Sequence, residues 1–138
     1  MGSTDGSATA ALAIAGYRGP PTADRTKFVE QWNGSSWTEI TENNTARGAG
    51  AAGGLYTDGM IFGGDVPPRT GKTELWNGSS WTETGDMSTS RSLLGGSSGS
   101  GTTSGVAFAG SAPSNSNATE EFTFPPSTVV ALTEGDVF

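Results

Sequence analysis

The chain contains no cysteine and no histidine. A disulfide scaffold, a Cys/His zinc site and a Ser-His-Asp triad are therefore excluded within its 138 residues. The missing Cys leaves the redox compartment undetermined. Basic residues are also few: 7 Lys and Arg stand against 14 Asp and Glu, for a net charge of −7. Phosphate binding needs a cluster of Lys and Arg, so nucleic acid is not expected as a partner. The acids are scattered and read as a solvated, self-repelling surface. No apolar run approaches the ~20 residues of a membrane-spanning helix, so no membrane insertion is expected. Residues 8–15 imitate a signal-peptide core, but only Asp5 and no Lys or Arg precede them, and they read as a strand. Large aliphatic side chains are scarce and glycine reaches 22 residues, a profile that leans toward disorder on composition alone.

A repeat argues against disorder. Residues Glu30-Gln31-Trp32-Asn33-Gly34-Ser35-Ser36-Trp37-Thr38-Glu39 return 44 positions later as Glu74-Leu75-Trp76-Asn77-Gly78-Ser79-Ser80-Trp81-Thr82-Glu83. Asn-Gly between aromatic and β-forming residues predicts a hairpin with a type I′ turn. Each copy thus reads as strand, tight turn, strand, with Trp32/Trp37 and Trp76/Trp81 packing between sheets. A period of ~40–50 residues built from short strands is the signature of a β-propeller blade.

The repeat extends further. Leu12-Ala13-Ile14-Ala15-Gly16, Met60-Ile61-Phe62-Gly63-Gly64 and Val106-Ala107-Phe108-Ala109-Gly110 are short apolar strands that close on Gly. Each is followed by Pro, at Pro20-Pro21, Pro67-Pro68 and Pro113, which marks loops or strand ends. The last outer hairpin is reduced to Thr119-Glu120-Glu121-Phe122-Thr123-Phe124, with Pro125-Pro126 where its turn should be. Thr45-Ala46-Arg47 and Thr89-Ser90-Arg91 form another pair 44 apart, each leading into a run of Gly, Ala and Ser. Such runs read as innermost strands, where only small side chains fit between converging sheets. Part of the second run, from Ser97 to Ser104, could instead be a mobile loop. The expected fold is all-β, in one domain of about three four-stranded units over residues 8–44, 45–88 and 89–138.

Arg47, a small-residue strand, an apolar strand ending in Gly63-Gly64, and then Trp76 and Trp81 resemble a kelch repeat. Arg91 and residues 106–110 match it again before the Trp pair is lost, and the first unit has no Arg strand. A narrower similarity joins the Trp-Asn-Gly-Ser-Ser-Trp-Thr-Glu repeats to tail-fibre and other virion proteins of marine phages. It covers roughly residues 8–136, including a closing segment Leu132-Thr133-Glu134-Gly135-Asp136. The resemblance implies kelch-like β-propeller blades in a structural or adhesive module, virion-associated or extracellular, with a host-surface glycan or protein as target.

No cofactor or metal is expected. A galactose-oxidase-like copper site would need Cys and His ligands. A carbohydrate-active enzyme, the second functional class, needs two carboxylates facing across a pocket. Glu30, Glu39, Glu74 and Glu83 repeat with the architecture and read as structural, which leaves Asp24, Asp65 and Asp86 as loop carboxylates. An intracellular kelch scaffold is a third class. The Asn-X-Ser/Thr sequences at Asn33, Asn77 and Asn117 match the glycosylation pattern, and turn chemistry accounts for the first two. Binding residues are expected in the least repetitive loops: Tyr17, Arg18, Arg25, Asp65 and Arg69, on one rim of a rigid scaffold. Closed propellers have typically 4–8 blades. Three units in one chain therefore predict self-association, most simply a dimer closing a six-bladed ring.

Overall fold

The computed structural model describes residues 2–3, 7–19, 24–98 and 103–123. Among them every regular element is a strand. The first unit holds β1 (Gly2–Ser3), β2 (Ala11–Tyr17), β3 (Arg25–Trp32) and β4 (Trp37–Ile40). The second holds β5 (Ala51–Leu55), β6 (Asp58–Phe62), β7 (Thr73–Trp76) and β8 (Trp81–Thr84). The third holds β9 (Gly95–Ser98), β10 (Ser104–Phe108), β11 (Ser111–Ala112), β12 (Ser114–Asn115) and β13 (Thr119–Thr123). Antiparallel sheets run β1-β2-β3-β4, β5-β6-β7-β8 and β13-β10-β9, with β11 and β12 a separate ladder either side of Pro113. The protein is all-β, in three repeated sheets that do not close into a ring among the described residues. β1 lies ahead of residue 8 and gives the first unit its fourth strand. Pro20-Pro21, Phe124, Pro125-Pro126 and residues 132–136 lie outside the described residues.

Register makes the units superimposable. Thr73 pairs with Phe62 and Glu74 with Ile61, as Thr119 pairs with Phe108 and Glu120 with Ala107. The degenerate segment 119–123 thus serves as a third strand like β7. The small-residue runs are the first strands of their sheets, as expected. Their composition follows from close approach, since a Cβ on Gly96 would lie 2.3 Å from the Phe62 ring of the neighbouring unit.

The turn expectation needs correction. Trp32 pairs with Trp37 and Trp76 with Trp81, leaving four loop residues between each pair, not two. Asn33 Oδ1 accepts the N–H groups of Ser35 and Ser36, both at 2.9 Å, and Asn77 repeats this with Ser79 and Ser80. Only the glycines are left-handed, with φ of 94° at Gly34 and 91° at Gly78. The Asn side chain closes the loop itself, which removes the need for two positive φ angles.

Side-chain alternation along the strands builds two cores. Leu12, Ile14 and Val29 of the first unit pack with Ala52, Ile61, Trp76 and Trp81 of the second. Ala51, Met60 and Phe62 point the other way and meet Leu94 and Ala107 of the third. The middle sheet is therefore covered on both faces, so its strands lack the polar alternation of a half-exposed sheet.

The two Trp of a pair have different tasks. Trp76 Nε1 donates to Tyr56 O in the β5–β6 turn at 3.0 Å, and Trp32 Nε1 donates to Ala8 O in the β1–β2 turn at 3.0 Å. The first Trp of a pair thus ties its own unit together. Trp81 Nε1 instead reaches Thr41 O, in the segment arriving from the preceding unit, at 3.0 Å. Trp37 has no such segment against it among the described residues and is 49% exposed, so the expectation that it packs between sheets is corrected.

Candidate functional site

The loops joining the second and third strands of the units are shaped at their bases by two devices, the first present in all three units and the second in the last two. Two left-handed residues sit near the end of each second strand, just inside β2 and just past β6 and β10: Ala15-Gly16, Gly63-Gly64 and Ala109-Gly110. In the second and third units the ladder stops at that pair, whereas β2 takes it as a bulge and pairs on with β3 through Gly16 and Tyr17; the second position is Gly in all three because φ there reaches 125°, 111° and 95°. The second device is a buried arginine. Arg47 Nη1 donates to Gly63 O at 3.0 Å and Lys72 O at 2.7 Å, the two ends of the second loop. Arg91 Nη1 does the same for Ala109 O at 2.9 Å and Ala118 O at 2.8 Å in the third. Each Arg pairs with a Glu of its own third strand: Arg47 with Glu74 at 2.5 Å, Arg91 with Glu120 at 2.7 Å.

These pairs are structural. Both partners of the first are fully buried, so removing either would strand a charge in a low-dielectric interior. Burial lowers the Arg47 pKa while Glu74 opposes the shift, and an arginine remains charged regardless. Glu120 is pushed up by burial, but hydrogen bonds from Ser88 and Arg91 outweigh this and hold it below the ordinary carboxylate value.

The rim itself is built from the residues that follow each left-handed pair: Tyr17, Asp65 and Ser111. Tyr17 Oη donates to Asp65 Oδ2 at 2.8 Å across the first and second units. Arg25, on β3, donates to the same oxygen at 2.5 Å and through Nε to Asp65 O at 3.2 Å. Its guanidinium also lies 5.6 Å from the Tyr17 ring centre. The ring rests over Gly48, where a Cβ would lie 2.3 Å from it. Arg69 reaches across the second and third units to Ser92 Oγ at 3.1 Å and Ser111 Oγ at 3.2 Å. Hydrogen bonds from Arg25 and Tyr17 hold the Asp65 carboxyl below its ordinary value. Burial, together with the bond to Asp65, raises the Tyr17 phenol.

Tyr17, Asp65, Arg69 and Ser92 border an open depression of ≈350 Å³, with Ala49, Pro67, Pro68 and Leu93 as its apolar lining. Leu93 is 74% exposed and left-handed, with φ of 56°, a conformation that is an outlier for a bulky residue. Its N–H donates to Ala49 O at 2.9 Å, and Ala49 holds the same left-handed conformation at φ 50°. Exposed strain of this kind clusters at ligand-contacting positions.

Of the sequence-derived residues, Tyr17, Arg25, Asp65 and Arg69 are brought together. Arg18 is not: its guanidinium lies over the Phe28 ring at 5.7 Å, on the first unit alone. Ser92, Leu93 and Ser111 were missed, although one signal marked the last: it follows a Gly-ending strand as Tyr17 and Asp65 do. The three loop carboxylates are not gathered. Asp65 lines the rim, Asp24 is exposed beside Arg18, and Asp86 borders a gap of ≈60 Å³ between the second and third units. No group of three or more acidic residues suited to a metal ion occurs among the described residues.

No family model matches the chain, and no curated protein resembles its sequence. Among solved structures its fold is similar to that of YjhT, with a TM-score of 0.74 and 14% sequence identity. The likeness covers 91% of this chain and 43% of the YjhT chain, so this chain spans less than half of that neighbour. At such low identity it establishes the fold alone.

Proposed function

We propose that the protein is a non-enzymatic binding module: an array of kelch-like propeller blades whose rim engages a host-surface glycan or protein. The observation that carries this reading is the convergence of Tyr17, Asp65 and Arg69, from two units, around one open depression beside the strained, exposed Leu93, with Arg25 holding Asp65 in place. A phenol ring offers a stacking face for a sugar or an apolar side chain, and the guanidinium and carboxylate edges offer donors and acceptors for hydroxyls. Placement supports the reading too, because the second and third loops stand on bases clamped by buried Arg–Glu pairs, and rigid positioning lowers the entropic cost of binding. The phage-like Trp-Asn-Gly-Ser-Ser-Trp-Thr-Glu repeats support a virion-associated or extracellular setting.

A glycan array with the full chain tests it, followed by a hydrolysis assay on every hit. The expected outcome is retention of a glycan class without turnover, abolished by Arg69→Ala or Tyr17→Ala while Lys27→Ala has no effect. Cleavage of a hit would move the protein into the carbohydrate-active enzymes. Binding unaffected by both rim substitutions would remove the rim as the site.

A further inference from the structure

The segment 41–47 covers one face of the second sheet through a specific set of bonds. Thr41 O accepts the Trp81 indole N–H at 3.0 Å, and Asn44 Nδ2 donates to Trp81 O at 3.2 Å. The backbone N–H groups of Asn44 and Thr45 donate to the two Glu74 oxygens, at 2.6 and 3.1 Å, before Arg47 completes the carboxylate's shell. The same arrangement recurs one unit on, where Ser88 N and Arg91 bind Glu120. The Arg carbonyl looks backward as well. Arg47 O accepts from Gly16 N at 2.9 Å and Arg91 O from Gly64 N at 2.7 Å, which joins each unit to the one before.

By register Glu30 is the first unit's counterpart of Glu74, and Trp37 of Trp81. Glu30 is exposed and makes no ion pair among the described residues, and the Trp37 indole N–H has no acceptor there. At the opposite end of the array Gly110, the counterpart of Gly16 and Gly64, has no carbonyl for its N–H among the described residues. Both ends lack what one kind of segment supplies at the two junctions inside the molecule.

We infer that the face of the first unit around Glu30 and Trp37 is a docking surface for an extended Thr-X-Arg segment of a further repeat unit, built like residues 41–47. This inference stands independently of the rim's ligand. The segment's chemistry is set by the two junctions: a carbonyl for the indole, two consecutive N–H groups for the carboxylate, and an Arg two residues later. Residues 92–138 contain no Lys or Arg, so the tail of a second copy cannot supply the cation. The two Thr-X-Arg segments of a second copy are already engaged on Glu74 and Glu120. The occupant is therefore a Thr-X-Arg segment from outside these residues, not a second copy closing the ring.

The test is a graft. Ala51 pairs with Phe62 as Gly2 pairs with Ile14, so fusing residues 41–50 directly ahead of Gly2, in place of Met1, sets the added Arg in register. Tethering holds the segment at an effective concentration on the order of millimolar. The expected result is a blue shift of Trp37 emission, read in a variant whose other three Trp are Phe, and a higher melting temperature. Both gains should vanish when the grafted Arg is Ala or when Glu30→Gln is added, and survive Glu39→Gln on the neighbouring strand. As a second measurement, a synthetic peptide of residues 40–50 should bind the ungrafted chain at least tenfold more tightly than its Arg-to-Ala version. A graft that leaves Trp37 emission and melting unchanged, together with Arg-independent peptide binding, overturns the inference. So does an ungrafted chain that dimerises in sedimentation and dissociates on Glu30→Gln, because the occupant is then a second copy.

Discussion

The first and second units share eight consecutive residues, yet they live in different environments. Trp81 is 7% exposed and Trp37 49%, and Glu74 is sealed while Glu30 meets solvent. The hairpins agree in pairing, in Asn-closed loop and in Trp–Trp contact, with ring centres 5.5 and 5.2 Å apart. Hairpin geometry is therefore local and written in the repeat. Burial is not, because it depends on a segment laid across the sheet by a neighbouring unit. The same letters make an interior in one place and a surface in the other.

Breaking the buried pair should give the largest separation between the units. Arg47→Ala leaves Glu74 charged and enclosed, and a loss of roughly 3–5 kcal/mol is expected in urea denaturation. Glu30→Gln, the matched change on the open face, should leave the midpoint where it is. Equal losses at both positions would mean that Glu30 is sealed in solution as Glu74 is.

The tryptophans sharpen the comparison at a cost of the same order. Trp81→Ala opens the core between the first two units and should cost about 3–5 kcal/mol. Trp37→Ala should cost less than half as much, since half of its surface already meets water. Acrylamide quenching of single-Trp variants gives an independent reading, with Trp37 quenched the more strongly of the two.

Acid should act on the second and third units through Asp65 and Glu120. Both carboxyls sit below their ordinary values when folded, so protons bind the unfolded chain more tightly. Their contribution is complete above the ordinary carboxylate value of about 4 and is lost as pH falls through the lower folded values. Urea midpoints measured from pH 6 down to 2 should therefore decline, and Asp65→Asn with Glu120→Gln should flatten the decline. A midpoint that climbs toward acid would contradict the assignment.

The smallest effect is expected at the rim. Leu93→Gly removes an exposed side chain from a left-handed position, and relief of that strain should stabilise the chain by up to about 1 kcal/mol. Glycan retention should weaken at the same time. A destabilised Leu93→Gly chain would show that the side chain packs in solution and does not present itself to a ligand.

Much was legible in the residues themselves. The 44-residue period, the Gly-ending strands and the small-residue runs encode strand order, because pairing and close approach depend on residue type at fixed spacing. The rim could be anticipated for a related reason: residues that break a repeat have no shared structural duty to explain them. Arg18 shows the limit of that rule. It breaks the repeat as Arg25 does, but an arginine's reach is long and its partner, a ring on its own unit, is chosen only once the sheet has twisted.

By itself the sequence determined an all-β chain, its three units, and the recurrence of their Trp hairpins and arginines. Each of these rests on contacts whose partners recur at constant separation along the chain. Only the tertiary structure decided which Trp is interior, which Glu is paired and which loops meet at the depression. Those outcomes depend on what lies against each sheet face, and sheet-to-sheet contact is set by the stacking of whole units, which no stretch of residues specifies alone.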